Sequence, residues 1–551
     1  GDYGSDMEQF AALMNAGAVV AEAMDLKVGV ALTAEQMASL TTDIVWLVEE
    51  VVNGEKVLVP EVFLAQVRSE DLRPDGALIV GGEVELYSKQ DIKNMGNIKS
   101  DGTVALRAEN VSNKGDIAGE NLKIKAEKNI TNSGTMRAKV DALLKAENIT
   151  NEATVSEKQY KELNQKKLEA TGSISAGQNL TLEASNKITN KGANLTAGKG
   201  LQLNANDVDI VTVANEKHVA VAYGSSSAEI HDVHHQQSAL SGENIRLNAK
   251  KDISIAGGIL SAKNDVDLNA KGDVNLTAVK DLYSEESEVG NRGGSYYNHN
   301  KQVDEAVKGT TIAAKNDISI ASGKDINIKG SNVSSEAGKA DLIAENNINI
   351  ANETEYHERL HEEHNKVSGL LSSKTTDIYD YSKQNTVVGS NVSAGELAMS
   401  SKKDTNITGS NVVADNDVNV KTGGNLNIGS AEQTSESEYI KSVKKSGILS
   451  GGGLGFTIGK EKQKDQYANQ NTEQVGSTVG SVKGNVKLDA DKAANVKGST
   501  VVAGKDINIT GENVKIENSD SIYNAQEKHE FKRTGLSVSV GGEAVNKVNE
   551  V

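Results

Sequence analysis

The feature that most constrains this chain is a short repeat, and its interval is too small for a helical pair or a propeller blade. Val111, Ile130 and Ile149 are nineteen residues apart, as are Asn113, Asn132 and Asn151. Farther along the step is about twenty-one: Val266 follows Ile245, Val274 follows Ile253, Val418 follows Leu397 and Ile507 follows Val486. Inside each repeat sits an alternating unit such as Asp252-Ile-Ser-Ile255, Asp325-Ile-Asn-Ile328 or Asp506-Ile-Asn-Ile509. Alternation with β-branched residues predicts half-buried strands. The flanking Gly-Lys and Lys-Asn pairs, and a Gly-Ser-x-Val at Gly330, Gly389, Gly409 and Gly498, are turn chemistry. Two or three short strands in nineteen to twenty-one residues describe one rung of a parallel β-helix.

Composition agrees with a narrow stacked core. The 551 residues include 3% aromatics, two prolines and no cysteine, with a net charge of −18. A thin bore favours Ile, Val, Leu and Ala, and proline would delete a ladder donor in its rung. About 400 residues in rungs of about 20 predict a stem of about 20 rungs and ~95 Å. Absence of cysteine removes disulfides, thiol catalysis and thiolate zinc. The acidic balance argues against nucleic acid as a partner. No apolar run approaches a membrane span, and the chain reads as an internal piece of something longer.

Six polar segments interrupt the repeat, near 154–170, 215–238, 281–309, 352–385, 431–477 and 519–551. The last three correspond: Ile350, Ile428 and Ile516 precede them, Tyr356, Tyr439 and Tyr523 follow, then Ser368-Gly-Leu370, Ser446-Gly-Ile448 and Thr534-Gly-Leu536. Each is expected to be a hairpin or a short helix-hairpin projecting from one side. The first seventy-five residues differ. Phe10, Leu13, Met14, Val20 and Met24 suggest a helix, Thr33-Ala-Glu-Gln36 is a capping box, and 57–65 reads as strand. The expected organisation is a mixed junction over 1–75, nineteen-residue repeats over 76–151, a polar insert over 152–171, and repeats with excursions over 172–551.

Ala31-Leu-Thr-Ala-Glu-Gln-Met37, Thr42-Asp-Ile-Val-Trp-Leu-Val-Glu49 and Val57-Leu-Val-Pro-Glu-Val62 together resemble a junction in two-partner-secretion exoproteins. These are the filamentous haemagglutinins and contact-dependent growth inhibition toxins. The repeats over 77–151, and those from Gly172 onward, are similar to their two haemagglutinin-repeat regions. The resemblance implies an all-β, right-handed parallel β-helix with a small mixed α/β junction. It implies export through an outer-membrane two-partner-secretion transporter to the bacterial surface. The role it implies is that of a non-enzymatic stem supporting toxin delivery to, or adhesion at, a target-cell surface or outer membrane.

Chemical motifs are few. His357-Glu-Arg-Leu-His361, with His364, matches the zincin pattern H-E-x-x-H, and on a helix the three imidazoles would share a face with Glu358 as base. Its segment is almost wholly polar, and the corresponding excursions lack the motif, so neither a catalytic residue, a metal nor a cofactor is expected. His231, His234 and His235 are expected in an exposed loop. Gly451–Gly459 fails both phosphate-loop templates and reads as a flexible hairpin. The expected membrane or partner contacts are Tyr439, Ile448, Leu449, Leu454, Phe456, Ile458, Leu536, Val538 and Val540. There the apolar residues alternate with Gly and Ser.

Overall fold

The computed structural model describes residues 6–38, 40, 43–52, 55–63, 76–450 and 455–539. From Leu78 onward the chain coils through three parallel ladders of short strands, fourteen strands to a ladder. One ladder aligns Ile98, Ile117, Met136 and Ile174 in successive rungs, and all four are buried. The inward positions form one continuous core of Ile, Leu, Val and Ala running the length of the stem. Each Ile, Leu or Val is worth about 1.5–3 kcal/mol when fully buried. Among the described residues Tyr87 is the one aromatic in a rung.

Fourteen rungs are fewer than the sequence estimate and give ~65 Å of stem at the usual strand spacing. The excursions, whose bounds lie close to the expected polar segments, hold the residues that the estimate assigned to rungs. Among the described residues none contains a helix, and five are antiparallel hairpins. The first joins the end of Ala142–Gln159 to Leu163–Thr171, the second Val213–Tyr223 to Ser226–Gln236, and the third Val279–Gly290 to Tyr296–Lys308. The fourth joins Glu353–Ser368 to Ser372–Val388 and the fifth Ala431–Ser450 to Gly455–Val475. A last strand, Ile522–Ser539, follows the final rung.

Every excursion leaves the stem at the same corner, and from the fourth rung on it does so at every second rung. The intervening rungs turn that corner on a glycine with positive φ: Gly192 (57°), Gly257 (61°), Gly330 (56°), Gly409 (54°) and Gly498 (55°). A side chain is disfavoured there by backbone sterics, and at Gly409 a Cβ would also meet Ala431 Cβ at 2.7 Å.

Polar side chains run along this corner inside the stem. Asn94, Asn113, Asn132, Asn151 and Asn190 are buried and donate amide to amide in series, Nδ2 to Oδ1, at 2.8–2.9 Å. Beyond them the ladder changes to hydroxyls. The backbone N–H of Thr310, Ser331, Ser390, Ser410 and Ser477 donates to the hydroxyl of Ser331, Ser390, Ser410, Ser477 and Ser499 respectively, at 3.0–3.1 Å. The serine of each Gly-Ser-x-Val therefore links neighbouring rungs. Its glycine makes the bend where no hairpin intervenes. The Asp that opens each Asp-Ile-Asn-Ile unit acts similarly: Asp252 Oδ1 accepts from Asp273 N (2.7 Å), and Asp273 Oδ1 from Asp325 N (3.0 Å).

The junction is a separate small core. Helix Asp6–Met24 and helix Ala34–Ala38 pack on the antiparallel pair Ile44–Val52 and Glu55–Phe63 around Leu32, Ile44, Val48 and Phe63. The capping box forms in both directions, with Gln36 N donating to Thr33 Oγ1 (3.2 Å) and Thr33 N to Gln36 Oε1 (2.9 Å).

Replacing Asn132 by Leu strands the Oδ1 of Asn151 and removes the side-chain acceptor of Asn113 Nδ2, which keeps Gly115 O and Thr135 O. The expected cost is about 1–3 kcal/mol for each buried group left unpaired. Hydrogen exchange should show lost amide protection over 103–151 and unchanged protection beyond Ile312; uniform loss along the stem would contradict a local ladder.

Candidate contact surface

The five hairpins do not project singly. The outer strand of each pairs with the next: Leu163–Thr171 with Val213–Tyr223, Ser226–Gln236 with Val279–Gly290, and Tyr296–Lys308 with Glu353–Ser368. Ser372–Val388 then pairs with Ala431–Ser450, and Gly455–Val475 with Ile522–Ser539. The result is one antiparallel sheet of eleven strands beside the stem. Most of its side chains are half-buried on both faces, so it is held by backbone pairing and by cross-strand polar contacts rather than by a core.

All nine histidines of the chain lie in this sheet. His231, His234 and His235 sit on a paired strand rather than in an exposed loop. His234 Nδ1 and His235 Nδ1 each lie 2.8 Å from the Asp281 carboxylate, which Lys308 Nζ also reaches at 2.9 Å. Burial pushes the Asp281 carboxyl up, but these bonds outweigh it and hold the group below the usual carboxylate range. His231 meets the ring of His218 edge-on, with centroids 5.3 Å apart.

The H-E-x-x-H segment is strand, not helix, within Glu353–Ser368. His357 and His361 share one face but stand about 13 Å apart along the strand, while Glu358 and His364 face the other way. His357 Nδ1 bonds Asp304 (2.8 Å), His361 Nδ1 bonds Asn300 Oδ1 (2.6 Å), and His364 bonds Asp377. Asp304 is lowered in the same manner as Asp281: burial raises it, and Arg359 and His357 pull it down further. These imidazoles are cross-strand partners and do not converge as a zincin triad.

A tighter grouping was not legible beforehand. His299 lies directly across from Glu288 on one side and Glu362 on the other. Its Nε2 is 2.8 Å from Glu286 and its Nδ1 is 3.1 Å from Glu362, which Arg292 holds at 2.7 Å. Ligand atoms of Glu286, Glu288 and His299 all lie within 4.8 Å of one another. Burial pulls the His299 imidazolium down, and the carboxylates outweigh it, so its pKa is raised.

The junction rests on the near end of the sheet. Tyr160 OH donates to Asp43 Oδ2 (3.1 Å), and Lys217 Nζ reaches Pro60 O (3.5 Å). Leu13, Val45 and Val62 face Leu163 and Val219 across a small cleft. Burial pulls the Lys217 ammonium down and pushes Glu50 up, with each charge countering the other's shift.

At the far end stand the expected contact residues. Ile448, Ile458 and Leu536 lie side by side in register and are 46%, 49% and 45% exposed. Leu449 is buried, and Tyr439 faces Tyr467 with ring centroids 6.2 Å apart. Phe456 and Val538 pair in backbone register one step nearer the tip. Leu454 and Val540 lie outside the described residues. Sequence reasoning missed Leu370 and Leu371 at the fourth tip, which are 99% and 65% exposed.

Comparison with known proteins was made against this geometry. One haemagglutinin-repeat model matches residues 219–297, 290–447 and 457–549, and a second matches 52–134 and 148–216. The chain belongs to the haemagglutinin-repeat family. Along its whole length it is 28% identical to a tRNA nuclease CdiA-2 of Burkholderia pseudomallei and 32% identical to a toxin CdiA of Yersinia pestis. It is also 32% identical, over 99% of its length, to a 16S rRNA endonuclease CdiA of Enterobacter cloacae. The chain spans 17–18% of these relatives' own lengths. No solved structure matches it.

The raised pKa of His299 gives the sheet a defined pH dependence. Its contribution is complete below the unfolded imidazole value of about 6.5 and fades as pH rises through the higher folded value. Asp281 and Asp304 behave oppositely, their contribution being present above about 3.9 and lost as pH falls through their lowered values. The imidazole of His529 in the last strand is raised as well, by its bonds to Asp465 and Glu527, so urea unfolding of the hairpins should need less denaturant at pH 8 than at pH 6, with the difference reduced in His299→Gln and absent when His529 is replaced too. A difference that persists in the double variant would assign it elsewhere.

Proposed function

We propose that this chain is the non-enzymatic stem of a secreted bacterial surface exoprotein, and that its hairpin sheet meets the surface or outer membrane of a target cell during toxin delivery. The observation that carries this reading is the common corner. The stem supplies length while every hairpin tip is brought to one side, ending in the exposed row Ile448, Ile458 and Leu536. The relatives named as toxins and nucleases support delivery as the task of the whole protein. The haemagglutinin-repeat match supports adhesion as the second reading, in which the stem is a plain stalk. We take the stem to be a right-handed parallel β-helix beginning near residue 76, after the junction. Export through an outer-membrane two-partner-secretion transporter follows from the family.

Deletion of Ala431–Val475 tests the role of the sheet. It leaves Gly429-Ser430-Gly476-Ser477, a Gly-Ser corner one residue longer than the Thr408-Gly409-Ser410 corner of a rung without a hairpin, so the stem is expected to stay folded. Delivery by, or attachment of, the full-length protein is expected to fall to background. Full activity with a folded stem would move the contact away from the sheet.

A further inference from the structure

Lysines far apart in sequence are brought into one line across the outer five strands of the sheet. Lys366 is registered with Thr375, Thr375 with Lys444, Lys444 with Lys462, and Lys462 with Lys532. Residues directly opposite share a face, so four ammonium groups and one hydroxyl form a row about 19 Å wide. Like charges directly opposite destabilise a sheet. Several other cations of this sheet are offset: Lys308 pairs with Asp281 (2.9 Å), Arg359 with Asp304 (2.9 Å) and Lys383 with Glu436 (3.3 Å). Among the described residues none of the four row lysines has an ion pair. Carboxylates on this face return one row closer to the stem, with Asp377 and Glu530.

The next row toward the tips is registered as Ser368, Ser373, Ser446, Lys460 and Thr534. It offers hydroxyl donors and a fifth lysine, which also has no ion pair. The five lysines line one open groove, whose lining also includes Lys445 and one carboxylate, Glu461. One row farther on the same face come Ile448, Ile458 and Leu536. Four residues separate the apolar row from the lysine row, about 13 Å along the strands. In a chain of net charge −18, a bare cationic row behind an exposed apolar row matches one environment: an interface whose phosphates lie above its acyl boundary. A single free phosphate would need one pocket, not a line across five strands.

We propose that Lys366, Lys444, Lys462 and Lys532, with Lys460, bind the phosphates of an anionic lipid surface into which Ile448, Ile458 and Leu536 dip. This deepens the reading of the sheet as the membrane-contacting part and rests on it. Each basic residue near such a surface is worth about 1 kcal/mol, and the apolar row adds the burial that keeps the strands at that depth.

The test is co-sedimentation of the full chain with vesicles of phosphatidylcholine alone and with vesicles containing phosphatidylglycerol. The chain is expected to prefer the anionic vesicles, with binding that weakens as salt rises. K366Q/K444Q/K462Q/K532Q should weaken that binding roughly a thousandfold. K374Q/K441Q, which removes lysines from the opposite face and outside the groove, should change it little, and circular dichroism of both variants checks the fold. The triple substitution I448S/I458S/L536S should reduce binding to both vesicle types. Displacement by millimolar inorganic phosphate at constant ionic strength would overturn the proposal in favour of a free-anion site. Equal binding to both vesicle types, or an unaffected quadruple variant, would overturn the phosphate assignment and leave membrane contact standing. Binding to neither would remove both.

Discussion

Two rungs of a parallel stack rise about 9.6 Å, and two antiparallel strands occupy the same width. The architecture depends on that equality. Because a hairpin leaves at every second rung, each arrives where the last one ends, and its outer strand finds a partner already in register. With a hairpin at every rung the strands would crowd; at every third rung a gap one strand wide would open between hairpins. The 78- and 88-residue spacing of Ile350, Ile428 and Ile516 records this as sequence: two rungs and one hairpin. Alternation at the corner is enforced chemically. A glycine with positive φ closes the rung that has no hairpin, and a serine hydroxyl ties successive turns together whichever path the chain takes.

The two parts are stabilised differently. The stem buries columns of aliphatic side chains, with its internal polar groups paired in series, so each rung is held by both neighbours. The sheet has little core, and its inventory is the reverse: all nine histidines, most of the aromatic residues and many cross-strand ion pairs. Lateral pairing over long strands substitutes for burial, and salt bridges that would be weak singly are held in register by it. A rigid stem beside a polar, titratable sheet separates length from contact.

Much of the stem was legible because its repeat is local. Ile245 with Val266 and Val418 with Leu397 could be paired by eye, and they are neighbours in the ladders. The rung number was too high because excursion residues were counted toward the stem, although the polar segments that mark them were legible. The H-E-x-x-H pattern invited a helical reading that a strand period of two dissolves. The lysine row was invisible for a different reason. Lys366, Lys444, Lys462 and Lys532 become neighbours only through pairing between hairpins, a long-range register that no local pattern encodes. The apolar tips were visible as alternating Ile, Leu and Gly, but their position relative to charge was not.

The central claim is that hairpin spacing is set by rung rise, and insertion of a single rung tests it most directly. Duplicating one turn of about 21 residues between the fourth and fifth hairpins moves them apart by one strand width, about 4.8 Å. Hydrogen exchange should then show lost protection between Ser372–Val388 and Ala431–Ser450 while the stem stays protected. A two-rung insertion carrying its own hairpin should restore it. Full protection at that seam after a one-rung insertion would contradict the account.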